Sequence, residues 1–320
     1  MEIIAAPAAL DAEVQAALEA FPAEVRALVA GLSDDSIAAV RATMSSLPVP
    51  ALSDAVTRTD HAIPGTDRVV VRVHRPASAV GALPCLYWMH GGGLVFGSYT
   101  DEDARFDRWS PQFGLVGVSV EYRLAPETPF PGPLEDCYAG LQWVHHHAAE
   151  IGIDPARIGV GGRSAGGNLA AGLALLARDR GGVPLRYQLL MYPMLDDRQA
   201  TTSSAWNDPI WPPPANTYGW TAYLGPAKGG PAVSPYAAPS RTADLAGLPP
   251  TLMAVGSIDG FCDEDIDYAV RLRHAGVAVD LAVYAGGPHS FDSIAPNSAL
   301  GRRAQRDIEE WLGRHAAAVR

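Results

Sequence analysis

The feature that most limits what this chain can fold into is an alternation running through its middle and C-terminal parts. Short apolar runs at residues 84–89, 115–120, 158–160, 187–191, 251–255 and 279–283 take turns with helix-like stretches at 134–149, 165–177, 263–274 and 299–316. The runs do not alternate polar with apolar residues, as a strand wet on one face would. They read as strands covered on both faces, which predicts a mostly parallel sheet with helices on each side. The expected fold class is α/β.

Residues 11–47 carry apolar positions at helical spacing, Val14 and Leu18, then Val25, Leu28 and Val29, then Ile37 and Val40, with Ser33 placed as an N-cap. This predicts a helical N-terminal segment over residues 1–50, ahead of a main domain over 51–320. From 56 to 74 the pattern turns β-rich, and Ile63-Pro64-Gly65-Thr66-Asp67 has the composition of a turn between antiparallel strands. Residues 196–247 break the rhythm with Pro209, Pro212, Pro213 and Pro214, with Trp206, Trp211 and Trp220, and with one short helical pattern near 216–224. An irregular insertion of that length in a compact domain serves as a lid or binding element more often than as a passive link. No internal repeat is present.

Bulk composition narrows the classes of partner. The chain has 320 residues, 48% hydrophobic and 18% charged, enough to bury a large core. Its 24 basic and 35 acidic residues leave a formal charge of -11, which repels phosphate backbones and anionic membrane surfaces. Nucleic acid is not an expected partner. No apolar run reaches the roughly 18 residues needed to span a bilayer, and the first ten residues have no secretory pattern. Cys85, Cys137 and Cys262 lie far apart without a C-x-x-C pair, against zinc sites and disulfide frameworks. A cytoplasmic, reduced protein is expected.

Two glycine motifs carry chemistry. Gly162-Arg163-Ser164-Ala165-Gly166 fits G-x-S-x-G between an apolar strand and a helix, where a sharp turn holds the serine hydroxyl above the sheet and side chains at the glycines would collide with the backbone. The pentapeptide alone also suits a glycine-rich turn with no chemistry. A dinucleotide loop fails, because Gly159-x-Gly161 is followed by Ser164 where the third glycine belongs. His90-Gly91-Gly92-Gly93 follows another strand, and consecutive glycines let backbone N–H groups face a site unobstructed. The two motifs together favour a site over a flexible loop.

At these residues the chain resembles the hormone-sensitive-lipase-like esterases (bacterial family IV) of the α/β-hydrolase superfamily. Four further stretches match that pattern: Tyr122-Arg123-Leu124-Ala125-Pro126-Glu127, the stretch Phe130-Pro131-Gly132-Pro133-Leu134-Glu135-Asp136, then 256–264 around Asp259, and Gly287-Pro288-His289-Ser290-Phe291. The resemblance covers about residues 50–315. It implies an α/β-hydrolase fold with a helical cap and hydrolysis of carboxylic esters without metal or organic cofactor. Carried over, it makes Ser164 the nucleophile, His289 the base and Asp259 the orienting acid, with Gly91, Gly92 and Ala165 as oxyanion donors. Trp206, Trp211 and Trp220 fall where it puts the cap and pocket wall, and the expected substrates are esters of short to medium acids.

The chain order Ser, acid, His suits this fold. Asp259 and His289 each lie just past a strand, at the carboxyl edge where open α/β sheets place their sites. Asp263, Glu264 and Asp265 compete for the acid role, although they open a helix whose dipole favours acidic residues anyway. His145, His146 and His147 are consecutive on a helix, point in different directions and read as solvated rather than metal-binding. Arg163 departs from the family, which often has an acidic or small residue there; Glu127, Glu135 or Asp136 is its expected partner. An amidase or deacetylase, or a receptor on the same fold, stays open, and so does the oligomeric state, a homodimer included.

Overall fold

The computed structural model describes residues 2–6, 8–66 and 68–316. Asp67 of the expected turn lies outside them. The N-terminal segment forms α1 (Ala12–Ala20), α2 (Ala23–Ala30) and α3 (Ile37–Ser45). Asp11 caps α1 by accepting from the Glu13 and Val14 N–H groups at 3.0 and 3.1 Å. At α3 the N-cap position falls on Ser36 rather than on the expected Ser33, which forms the turn before it: the Ser33 hydroxyl accepts from the Ser36 N–H and its carbonyl from the Ile37 N–H.

The main domain then runs β1 (Val56–Ala62), β2 (Val70–Pro76), β3 (Leu83–Met89), α4 (Asp103–Phe113), β4 (Val116–Glu121), α5 (Gly132–His146), β5 (Ile153–Arg163) and α6 (Ala165–Arg180). It continues with β6 (Gln188–Met191), α7 (Pro213–Leu224), β7 (Thr251–Gly256), α8 (Cys262–His274), β8 (Val279–Tyr284), α9 (Phe291–Ile294) and α10 (Ala299–Ala316). The strands form one eight-stranded sheet in the order β1-β2-β4-β3-β5-β6-β7-β8. β1 and β2 pair antiparallel, as does β2 with β4, and the remaining pairs are parallel. This is the α/β-hydrolase fold.

Strand β3 shows why the sheet sits inside. Cys85, Tyr87 and Met89 point into one apolar cluster with α5 and α6, while Leu86 and Trp88 point into the other with α4 and α10. Helix α6 is buried at every residue from Ala165 to Ala177, as a helix apolar all round must be. Helix α10 buries a single stripe, Leu300, Gly301, Ala304, Ile308, Trp311, Leu312 and Ala316, at helical spacing. Each buried leucine or isoleucine of that stripe contributes roughly 1.5–3 kcal/mol.

Two features depart from the sequence pattern. Helix α4 was not legible, because its stretch is charge-heavy and carries Pro111 in the last turn; Phe106, Trp109 and Ser110 are its buried face. Helix α7 starts earlier than its apolar pattern, since Pro213 and Pro214 occupy first-turn positions where a missing N–H costs nothing. Around α7 the insertion 196–247 is irregular, and it lies on α6: the Asn168 side-chain amide donates to the Met194 and Ala237 carbonyls at 2.7 and 3.0 Å. Arg41 on α3 anchors the N-terminal segment, donating to the Val95 and Ala125 carbonyls and to both oxygens of Glu127.

Candidate active site

Ser164 sits at the tip of the turn between β5 and α6 with φ 56° and ψ -123°, a left-handed conformation that L residues seldom adopt. Its N–H donates to the Met191 carbonyl at 2.9 Å and its carbonyl accepts from Asn168 and Met194, which hold the strained turn in place. The flanking glycines are required by contact. A Cβ on Gly162 would come within 2.2 Å of the Gly166 carbonyl oxygen, and one on Gly166 within 2.1 Å of the Met89 oxygen.

The loop after β8 brings His289 to this turn. His289 Nε2 is 2.9 Å from Ser164 Oγ, and Nδ1 is 2.8 Å from Asp259 Oδ2, which lies just beyond β7. The other Asp259 oxygen accepts from the Phe261 N–H at 2.9 Å. All three side chains are buried. Tyr192 and Phe261 stand edge-on to the imidazole, each with ring centroids 5.0 Å away. Burial alone would pull the His289 pKa down; the charge of Asp259 and its hydrogen bond, with Asp208 and Asp292 adding, outweigh this and raise it above 6.5.

On the other side of the serine lies the glycine loop. A Cβ on Gly91 would stand 3.6 Å from the Ser164 Cβ, so the loop runs against the nucleophile turn. Among the described residues, neither the Gly91 nor the Gly92 N–H donates to another backbone group, and Ala165, the first residue of α6, has an N–H that no intrahelical carbonyl can reach. His90 beneath the loop is buried and stacks on Tyr122 at 4.2 Å, its Nδ1 2.7 Å from the Gly91 carbonyl oxygen.

Asp208 in the insertion escaped the sequence reading. It accepts from the His289 backbone N–H at 2.8 Å, and burial, with repulsion from Asp259, pushes its carboxyl up to about 6. No local motif signals it, since its partner lies 81 residues away.

Arg163 corrects an expectation. Its Nε donates to Glu102 at 2.8 Å, whereas Glu127 pairs with Arg41, Glu135 with Arg180 and Asp136 with Arg123. Glu102 is buried, which on its own raises a carboxyl pKa, yet Arg163 and Arg105 together hold it down at about 2. Among the acids that open α8, Asp263 accepts from the Ser203 N–H and Glu264 from the Leu195 and Asp196 N–H groups, so both serve to anchor the insertion. Burial raises Glu264 and Asp265 well above the usual carboxylate range. His147 bonds the Trp143 carbonyl and stacks on its ring at 4.5 Å, and no cluster of three or more metal-ligating side chains occurs among the described residues.

The three tryptophans separate. Trp211 stands over the glycine loop: a Cβ on Gly93 would come within 2.2 Å of its ring, and Phe96 lies beside it with centroids 6.2 Å apart. Trp206 belongs to the opposite apolar cluster, and its residue bridges Ile4. Trp220 has no accessible surface and packs near Tyr223, so it fills the core and lines no open pocket. A cavity of about 810 Å³ opens between Leu32, Phe130, Tyr218 and Val233, and Ser164, Asp259 and His289 do not line it.

The sequence profile of the alpha/beta hydrolase fold matches residues 86–293, well over half of the chain. The chain belongs to the hormone-sensitive-lipase-like α/β-hydrolases. Among the relatives of this hydrolase is carboxylic ester hydrolase LipN of Mycobacterium tuberculosis, 38% identical over 295 residues that cover 89% of this chain and 78% of that protein. An ethyl acetate hydrolase of Pseudomonas putida is 32% identical over 238 residues, 73% of each chain. Among solved structures, a bacterial heroin esterase superposes with a TM-score of 0.89 at 40% identity, covering 97% of this chain and 98% of the other.

Proposed function

We propose that this hydrolase cleaves esters of short- to medium-chain carboxylic acids through an acyl-enzyme on Ser164. That it is an ester hydrolase follows from its family and from relatives similar over most of its length. The observation that carries the mechanism is the position of His289, within hydrogen-bonding distance of Ser164 Oγ on one side and of Asp259 on the other.

In this reading the Ser164 oxygen attacks the ester carbonyl carbon while its proton passes to His289 Nε2. The carbonyl oxygen gains negative charge and is held by the N–H groups of Gly91, Gly92 and Ala165. Collapse breaks the bond to the alcohol oxygen, which leaves with the proton from Nε2. A water then attacks the acyl-enzyme, gives its proton to Nε2, and the acid departs as the serine is reprotonated. Asp259 accepts from Nδ1–H throughout, fixing the tautomer and stabilising the imidazolium.

The preference for short acyl groups is supported by Trp211 and Phe96, bulky rings crowded against the glycine loop where an acyl chain would lie. It is supported also by the relative named for ethyl acetate, an ester of a two-carbon acid. The test is a panel of p-nitrophenyl esters of graded acyl length beside matching anilides. Turnover falling from acetate and butyrate to long acids, with anilides far slower, is expected; anilides turned over as fast as esters would make the protein an amidase.

A further inference from the structure

One buried carboxylate beside the base takes no part in proton transfer. Asp208, 2% exposed, uses one oxygen to accept from the His289 N–H at 2.8 Å and the other to accept from the Ile210 and Trp211 N–H groups at 2.8 and 2.9 Å. The bonds to Ile210 and Trp211 form an ordinary local Asp turn, which serine or asparagine would make as well. The bond to His289 has no such local explanation. Through it one side chain registers the loop carrying the base against the segment carrying Trp211, whose ring in turn lies over Gly93 of the glycine loop.

A carboxylate here is also costly. It is buried near Asp259, a like charge, and burial with that repulsion drives it up to about 6, while His289 opposes the shift. Above that value the group is ionised and adds a negative charge beside the imidazole. The other titratable groups facing the ring are Asp259 from beyond β7, Asp292 from α9 and the edge of Tyr192, whose hydroxyl donates to Asp292 at 2.9 Å. Arg163 is already paired with Glu102.

We infer that Asp208 is a positioning residue for the acyl transfer proposed above: its bond to the His289 N–H holds the base loop in register with Trp211, and its charge stabilises the imidazolium formed when Ser164 attacks. The inference rests on that mechanism, and it assigns Asp208 a role that turn-forming alone does not require.

The test compares the full-length wild type with Asp208→Asn, Asp208→Ser and Asp208→Glu by kcat and KM for p-nitrophenyl acetate across about pH 5 to 9, together with melting temperature. The serine variant keeps an oxygen for the N–H groups but removes the charge. Both neutral variants should lose about 10- to 100-fold in kcat, with KM within about threefold, as expected for slight misplacement of a base. Their acid limb in kcat/KM should move down by about one pH unit, because a negative charge next to the imidazole has gone. The glutamate variant should bring the limb back towards its wild-type position. A limb that stays in place in a folded neutral variant, whether or not the melting temperature drops, overturns the inference, because a structural role predicts that result. Failure of every variant to fold would make Asp208 a stability residue and overturn it too. A wild type that shows no acid limb would instead defeat the mechanism beneath, whatever Asp208 does.

Discussion

His289 Nε2 lies 2.9 Å from Ser164 Oγ while Asp259 holds the opposite ring nitrogen at 2.8 Å. Since a carboxylate can only accept, a neutral His289 beside Asp259 carries its proton on Nδ1 and turns the Nε2 lone pair to the serine hydroxyl. The serine backbone is held at φ 56° by hydrogen bonds from the turn's neighbours on β6 and α6, which fixes where its side chain leaves the turn.

Ser164→Ala should leave the fold intact and lower kcat by roughly four to six orders of magnitude, and His289→Ala should cost a similar factor. The double variant should lose no more than either single one. Steady-state kinetics with p-nitrophenyl acetate measure all three, and additive losses would mean that the two residues do not act as a unit.

The pH profile follows from the raised pKa of His289. The base must be neutral, so kcat/KM should rise with pH through an apparent pKa above 6.5. From this group alone, stability runs the other way: the added affinity for a proton stabilises the fold below the unfolded histidine pKa and is lost as pH rises through the folded value. A rate profile flat from about pH 5 to 8 would contradict His289 as the base.

Glu102 should matter at low pH. Its folded pKa of about 2 lies below the ordinary 4.5, so its contribution to stability is present above about pH 4.5 and lost as pH falls towards 2. Glu102→Gln leaves Arg163 and Arg105 without their shared partner and should cost about 3–5 kcal/mol at neutral pH. Melting temperatures of both proteins from about pH 3 to 7 should converge at the acid end.

The tryptophans should divide by function. Trp211→Ala opens space beside the glycine loop and should raise relative kcat/KM for longer acyl chains. Trp220→Ala leaves a core cavity, should cost about 3–5 kcal/mol, and should leave the chain-length preference unmoved. If neither variant changes the preference, the insertion does not set specificity.

What the sequence disclosed follows from how local each signal is. The strands and the serine turn rest on patterns a few residues long, and the structure places all six apolar runs in its sheet. That Ser164, Asp259 and His289 lie near one another was legible because each follows the carboxyl end of a strand, β5, β7 and β8, a position readable from strand order. Asp208 was not, since a carboxylate in an irregular, proline-rich stretch gives no hint of a partner 81 residues on. The Arg163 to Glu102 pair was hidden for a related reason, as Glu102 directly precedes the helix whose pattern Pro111 obscures. The tryptophans looked alike in sequence, and only tertiary packing sets Trp211 on the glycine loop and Trp220 in the core.

The central claim is that Ser164 forms the covalent intermediate, and active-site labelling tests it most directly. Only an activated hydroxyl attacks an organophosphate at neutral pH. Intact-mass and peptide mass spectrometry of the inactivated protein should find one phosphoryl adduct per chain, on Ser164, formed in step with loss of esterase activity. Full inactivation without an adduct on Ser164, or an adduct on another residue, would contradict the account.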